Sequence, residues 1–300
     1  MQKSVDRILV TGATGQLGSL VIQELLKSAP PAMISALVRP QSIDTSARLK
    51  DAGIDIRVAE YDDPRSLDRA FFGIQRLLFI SSNAVGADRI RQHRNVIAAA
   101  SNVGVGLVAY TSLLHADSSP LGLAADHRET ESMLAKSGLP HVLLRNGWYN
   151  ENYLGGVAAA IDTGSLMGSA GDGKISSAAR ADYAAAAAAI MLSEHQLYAS
   201  PLELAGDEAY TLDDLATEIS LHSGSSVRYH DLTPDKYEAA LRSAGLPEVV
   251  ARIVADADAG AAQGALFEDR GTLSALIRRP TTSISESVRQ VLHGQKEFPA

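Results

Sequence analysis

Three glycines near the amino terminus have the spacing of a phosphate-binding loop. Gly12, Gly15 and Gly18 stand in RILVTGATGQLGSLVIQELL, residues 7–26, between a continuous apolar run and an amphipathic helical pattern. The first glycine allows a tight turn, the second lets the main chain approach a diphosphate, and the third brings the helix against the sheet. Unpaired N–H groups at the helix amino terminus add a partial positive charge. The pattern therefore predicts a dinucleotide site.

The residue after the second predicted strand favours NADP(H) over NAD(H). An NAD site usually carries Asp or Glu about 20 residues beyond the loop, bonded to the ribose 2′-hydroxyl. This sequence has Arg39 there, in ALVRP. A guanidinium can hold a 2′-phosphate through two hydrogen bonds. We therefore expect NADPH, with Asp62 and Asp63 beside the adenine ring and residues 79–83 beside the ribose.

Alternating strand and helix patterns surround this loop. Strands are predicted at 7–11, 34–39, 54–61, 77–81, 106–112 and 141–146, with helices at 17–27, 90–103 and 126–137. Strands joined through helices imply right-handed crossovers, so the fold class is α/β, a Rossmann-type doubly wound parallel sheet. We expect an NADP-binding Rossmann domain over 1–150, to which later segments return. A smaller mixed α/β carboxyl-terminal lobe over 151–300 should be mainly substrate-binding.

The second half has a less regular rhythm. It contains a glycine-rich loop at 168–180, a helix at 180–192, a strand at 202–206, a helix at 212–222, a strand at 227–232 and a mostly helical tail. Asp182 or Ser177 is the expected N-cap of the first of these helices. Thr211 and Asp214 resemble a capping box for the next.

Composition and charge exclude several classes of protein. The chain has 300 residues, a net charge of −8 and no cysteine, which argues against nucleic-acid binding and removes disulfides, thiolate zinc sites and cysteine nucleophiles. We expect no metal, because the eight histidines do not cluster with acids in a ligand pattern. No apolar run is long enough for a membrane span or a signal peptide, so a cytoplasmic location is expected. Whether the chain forms a homo-oligomer stays open.

The helix after the fifth strand lacks the expected acid–base pair. The arrangement resembles the extended and atypical short-chain dehydrogenase/reductases, whose main branch uses Ser or Thr after that strand and Tyr-x-x-x-Lys on the helix. Ser112 fits the first position, but His127 and Glu131 replace the tyrosine and the lysine. Alcohol oxidation needs a base, so alcohol–ketone chemistry is disfavoured. A quinone needs no strong acid, because water can protonate its stabilised reduced oxyanion, and orientation supplies most of the rate.

Six segments carry a closer resemblance. They are TGATGQLG, QHRNVI, YTSLLHADSSPLGLA, LLRNGWYNENYL, GSAGDGKISSAARADYAAAA and RPTTSISESV. From about residue 7 to 292 the chain resembles the bacterial NAD(P)H:quinone oxidoreductases of the NmrA-like atypical branch, which reduce quinones by two electrons with NADPH. The resemblance implies cofactor contacts from Gly12, Ala13, Thr14, Gly15, Gln16, Leu17, Arg39, Phe79, Ile80, Ser81, Leu143, Leu144, Arg145, Asn146, Gly147 and Trp148.

The residues expected beside the quinone, the hydride acceptor, follow the sixth strand. We name Tyr149, Asn146 and His115 as candidate catalytic residues, although packing or solvated roles are open for each. Trp148 could stack on a nicotinamide or a quinone, Tyr153 could bond a quinone oxygen, and His127 is a further candidate proton donor. The acceptor is expected between the carboxyl edge of the sheet and the second lobe. Two alternatives remain, an NADP(H)-sensing regulator with a protein partner and a reductase of triphenylmethane-type dyes.

Overall fold

The sheet has the strand order of a doubly wound fold. A computed structural model describes residues 6–193 and 201–294. Its strands are β1 (Ile8–Val10), β2 (Ile34–Val38), β3 (Asp55–Val58), β4 (Arg76–Phe79), β5 (Leu107–Leu113), β6 (His141–Asn146), β7 (Ser165–Gly168), β8 (Leu202–Leu204) and β9 (Arg228–Asp231). Seven of them form one sheet in the order β3-β2-β1-β4-β5-β6-β8. The pairs β1–β2, β1–β4, β2–β3 and β4–β5 are parallel. The predicted α/β Rossmann-type class is confirmed.

Helices connect these strands, both where the sequence predicts them and in stretches such as 47–51 and 64–71 where it does not. They are α1 (Gln16–Leu26), α2 (Ala47–Asp51), α3 (Pro64–Phe71), α4 (Ala87–Val103), α5 (Ala124–Ser137), α6 (Glu151–Leu154), α7 (Val157–Thr163), α8 (Arg180–Leu192), α9 (Leu212–Ser223), α10 (Pro234–Ser243), α11 (Glu248–Ala261), α12 (Thr272–Ile277) and α13 (Ile284–His293). No described helix combines the length and the apolar composition that crossing a bilayer requires.

Two predicted helix starts have different outcomes. The capping box of α9 is confirmed, because Thr211 Oγ1 accepts from Asp214 N while the Asp214 carboxylate accepts from Thr211 N. The prediction of Asp182 or Ser177 as N-cap of α8 is wrong. Asp182 lies inside the first turn and its carboxylate accepts from Thr282 N at 2.7 Å, while Ser177 lies three residues before the helix and donates its hydroxyl to Asn150 Oδ1. Both carboxylate oxygens of Glu151 lie 3.0 Å from the first N–H of α8, that of Arg180.

The described residues divide into two compact units. Unit 1 contains residues up to Leu113, then Ala125–Arg145 and Tyr183–Leu202, and unit 2 contains Leu114–Ala124, Asn146–Asp182 and the chain from Glu203 onward. One hydrophobic cluster of unit 1 lies between β1, β4 and β5 and the helices α3 to α5. The predicted assignment of cofactor and substrate to separate domains stays a prediction.

Unit 2 has its own small sheet and a central asparagine. β7 and β9 pair in parallel, and the sequence did not predict β7 because its four residues show no strand pattern. The fully buried Asn150 joins distant segments. Its Nδ2 donates to Thr282 O at 3.0 Å and to Ser287 Oγ at 2.8 Å, and its Oδ1 accepts from Ser177 Oγ at 2.5 Å.

Candidate active site

The glycine loop between β1 and α1 is closely packed. Gly12 has φ +58°, where an L side chain is strained, and its carbonyl oxygen accepts from Gly15 N at 2.9 Å. A Cβ on Gly18 would stand 2.2 Å from that same oxygen, so only glycine lets α1 approach the loop this closely. The structure therefore gives a steric reason for glycine at position 12 and at position 18.

The amino terminus of α1 suits an anion. Gly15 is its N-cap, with no side-chain cap, and no acidic residue stands in the first turn. Thr14, Gly15 and Gln16 are exposed and Leu17 is half-buried, while the buried Ala13 donates its N–H to Leu37 O at 3.4 Å. The first-turn N–H groups and the helix dipole are therefore not neutralised by a side chain of the loop.

Arg39 and the two predicted adenine neighbours differ in their contacts. Arg39 is exposed just after β2, and its guanidinium has no hydrogen bond or ion pair with any residue in 6–193 or 201–294. Asp62 accepts from Arg91 Nη2 at 2.9 Å and from Gln92 at 2.8 Å. Asp63 is the N-cap of α3, so its carboxylate has a structural role. Of these groups, the Arg39 cation is the one without a protein partner in the described chain.

The segment after β4 is held in place by hydrogen bonds of its main chain. Phe79 is fully buried, with its ring centroid 4.8 Å from that of His93 and 5.0 Å from that of Tyr110. Ile80 and Ser81 are half-buried, and their N–H groups donate to the hydroxyls of Thr11 and Thr111 at 2.9 Å. A ligand contact from Phe79 would therefore have to come from its main chain.

His127 cannot act as the imidazolium proton donor considered from the sequence. Burial, together with the positive charge of Arg89, lowers its pKa from 6.5 to about 3. Its Nδ1 lies 2.8 Å from Tyr110 Oη, inside unit 1. The ring is therefore neutral near pH 7. At the position of the expected tyrosine, the chain has a buried neutral histidine.

Glu131, at the position of the expected lysine, belongs to a buried cluster. It accepts from Ser112 Oγ at 2.5 Å, from Arg145 Nε at 3.0 Å and from Arg145 Nη2 at 2.7 Å. The side chains of Arg145 and Glu131 are 6% and 11% exposed. This bidentate pair occupies the guanidinium, so a cofactor contact of Arg145 would need its main chain. Sequence reasoning missed the pair, although a charged residue inside an apolar strand signals a buried counterion.

The end of β6 presents an unsatisfied amide. Leu144 is buried and Leu143 half-buried, while Asn146 is 5% exposed and its Oδ1 has no hydrogen-bond partner among the described residues. Asn146 Nδ2 lies 3.4 Å from Tyr149 Oη, and Gly147 N donates to Leu204 O at 2.8 Å. A buried acceptor without a donor costs about 1–3 kcal/mol, so this amide oxygen is suited to a ligand N–H or O–H.

The other residues predicted to lie beside the quinone have different environments. Trp148 and Tyr149 are half-buried. Tyr153 is buried and donates its hydroxyl to Asp258 Oδ1 at 3.0 Å. His115 has φ +52°, its Nε2 lies 3.0 Å from Phe267 O, and Glu203 accepts its main-chain N–H at 2.8 Å. Tyr153 and His115 are thus held by unit 2 itself.

The chain resembles known reductases over nearly its whole length. It is 52% identical to Quinone oxidoreductase 2 of Escherichia coli, covering 95% of this chain and 99% of that protein. The crystal structure of an Escherichia coli NADPH-dependent quinone oxidoreductase complexed with NADPH superposes with a TM-score of 0.91, at 51% identity and 95% and 99% coverage.

A second solved structure has the same TM-score at lower sequence identity. The Citrobacter sp. triphenylmethane reductase complexed with NADP(H) has a TM-score of 0.91 at 35% identity, covering 95% of this chain and all of that chain, 100%. A profile of the NmrA-like family matches residues 4–284. This chain therefore belongs to the NmrA-like family.

Proposed function

We propose that this chain is an NADPH-dependent quinone oxidoreductase, which reduces quinones by two electrons through direct hydride transfer. The observation that carries the proposal is the 52% identity to a quinone oxidoreductase, spread over 95% of this chain. The matched family profile, over residues 4–284, includes both the glycine loop and the segment after β6. The geometry of those two regions supports the same function.

The glycine loop and Arg39 are suited to NADPH. The uncapped start of α1 would hold the diphosphate, and the guanidinium of Arg39 would hold the 2′-phosphate. The unpartnered Oδ1 of Asn146 would accept from a carboxamide N–H. Bound NADPH supplies the hydride. The remaining predicted contacts, from 79–81 and 143–148, stay part of the proposal, with Phe79 and Arg145 contributing main chain only.

The state of the replaced acid–base residues favours a quinone over an alcohol or a ketone. His127 is neutral and contacts Tyr110, and Glu131 is bound by Arg145 and Ser112. Neither is available to take or give a proton in the way that the Tyr-x-x-x-Lys pair does. A quinone tolerates this loss, because its reduced oxyanion is stabilised by the aromatic ring.

The proposal is tested by mixing the purified protein with NADPH and a simple benzoquinone while following NADPH absorbance. We expect NADPH oxidation that depends on both protein and quinone, with a lower kcat/KM when NADH replaces NADPH. Calorimetry with NADPH alone is the control for cofactor binding. Tight NADPH binding without reduction of any quinone would instead favour the alternative of an NADP(H)-sensing regulatory protein.

The dye reductase is the second candidate, because the triphenylmethane reductase has a TM-score of 0.91. Its identity of 35% is well below that of the quinone reductase structure, 51%. Comparing kcat/KM for a benzoquinone with that for a triphenylmethane dye separates the two, and we expect the quinone to be preferred. The cytoplasmic location and any homo-oligomer stay predictions from the sequence.

A further inference from the structure

A guanidinium lies on the ring of Tyr149. The Arg180 Cζ is 4.8 Å from the ring centroid of Tyr149, within the range of a cation–π contact. Arg180 is half-buried, and no carboxylate of the described chain lies within ion-pair distance of its guanidinium. The guanidinium therefore contacts the phenol ring without a direct ion pair to a carboxylate, although the Glu151 carboxylate binds the main-chain N–H of Arg180.

The main chain fixes this pair on both sides. Tyr149 forms a parallel bridge with Ala178, in which Asn150 N donates to Ala178 O at 2.9 Å. Glu151 accepts the N–H of Arg180 with both carboxylate oxygens, each at 3.0 Å. Tyr149 is thus itself a bridged residue and Arg180 lies two residues beyond the bridged Ala178, so the contact does not depend on a mobile side chain alone.

The hydroxyl of Tyr149 is set up as a proton donor. Asn146 Nδ2 lies 3.4 Å from Tyr149 Oη, next to the Oδ1 that has no partner in the described chain. Burial and the negative charge of Glu151 raise the pKa of Tyr149, whereas the Asn146 amide and the charge of Arg180 act to lower it. The phenol is therefore protonated at neutral pH, and a cation stands ready to stabilise the phenolate after the proton leaves.

We propose that Tyr149 donates the second proton of quinone reduction and that Arg180 is the positioning residue that supports it. This inference rests on the proposed quinone reductase function. The hydride delivers two electrons and one proton to the quinone, which becomes a hydroquinone anion. The O–H bond of Tyr149 breaks, its proton bonds to the anionic oxygen, and the phenolate recovers a proton from water. Phenol and cation, which the usual Tyr-x-x-x-Lys places on one helix, stand here on the turn after β6 and at the start of α8.

The test compares Tyr149→Phe, Arg180→Gln, Arg180→Lys and the double variant Tyr149→Phe/Arg180→Gln. The rate constant of quinone reduction is measured under single-turnover conditions at several pH values, so that slow product release does not mask the chemical step. The exposed Arg242, on α10, provides Arg242→Gln as the matched control for loss of a surface arginine. Thermal unfolding and the NADPH Kd establish that each variant folds and binds cofactor.

We expect Tyr149→Phe to slow reduction by about 10- to 100-fold, the range of one charge-assisted hydrogen bond, without changing the NADPH Kd. Arg180→Gln should give part of that loss, Arg180→Lys should recover most of it, and Arg180→Gln should add nothing in the Tyr149→Phe background. The inference would be overturned if Tyr149→Phe reduced quinone at the wild-type rate with the wild-type pH profile. It would also be overturned if Arg180→Gln slowed the reaction equally in the wild-type protein and in Tyr149→Phe. Absence of quinone reduction by the wild-type protein would instead overturn the proposed function, and this inference with it.

Discussion

Gly15 and Gly18 are expected to fail in different ways when each is changed to alanine. Gly15 has φ −80° and ψ 170°, which any residue adopts, and its new Cβ would meet only Gly12 O, at 3.2 Å. The unfolding free energy of Gly15→Ala should therefore stay within about 1 kcal/mol of wild type. The added methyl would, however, stand at the start of α1 and keep a diphosphate from the N–H groups.

The size of the binding defect follows from those N–H groups. Losing one charge-assisted hydrogen bond costs about 1.5–3 kcal/mol, which raises the NADPH Kd about 10- to 100-fold. Calorimetric titration with NADPH measures the Kd, and urea unfolding measures the stability. The matched variant is Gly18→Ala, whose Cβ would lie 2.2 Å from Gly12 O and 2.8 Å from Gly12 C. Because backbone must move, we expect it to lose about 1–3 kcal/mol of stability.

Two results would refute this reasoning. An unchanged NADPH Kd in Gly15→Ala would mean that the diphosphate does not lie against the start of α1. Wild-type stability in Gly18→Ala would mean that the close approach of helix and loop is not required by the fold.

Three further predictions concern specificity, stability and pH. Arg39→Ala should lose about 1.5–3 kcal/mol of preference for NADPH over NADH, and an unchanged ratio of the two Kd values would contradict the assignment of the 2′-phosphate. Glu131→Gln leaves a buried guanidinium without its anion and should cost about 3–5 kcal/mol in urea unfolding, against less than about 1 kcal/mol for the exposed control Glu248→Gln. Burial lowers the pKa of His93 and of His127 from 6.5 to about 3, so below pH 6.5 the unfolded chain binds more protons than the folded one. The contribution of these two neutral histidines to the unfolding free energy is therefore fully present above pH 6.5. As the pH falls below 6.5, the unfolding free energy decreases by up to about 1.4 kcal/mol per pH unit for each histidine. His127→Gln should make this decrease smaller between pH 6.5 and 5.5.

The sequence predicted the features that local pattern controls. The predicted strands 7–11 and 141–146 have apolar centres, ILV and VLL, and each contains the strand found there, β1 and β6. The glycine spacing at 12, 15 and 18 follows from steric needs within one turn. The capping box at Thr211 depends on residues three apart, so it too was visible.

What the sequence did not predict depends on residues distant along the chain. Asp182 has the right type for an N-cap, but the first N–H of α8 is taken by Glu151, 29 positions before Arg180. The lone charge of Arg145 in an apolar strand required a counterion, yet nothing local identified Glu131. The contact of Arg180 with Tyr149 arises from the bridge at Ala178, for which the sequence carries no signal.

The hydrogen bonds of Asn150 impose an order on the assembly of the protein. All three segments of unit 1 have been synthesised by Leu202, whereas Asn150 requires Thr282, Ser283 and Ser287 to satisfy its amide. The turn bearing Tyr149 therefore stays incomplete on the ribosome until the last helix has emerged. A nascent chain halted before that helix would retain the glycine loop and lack the buried hydrogen bonds that hold the turn bearing Tyr149.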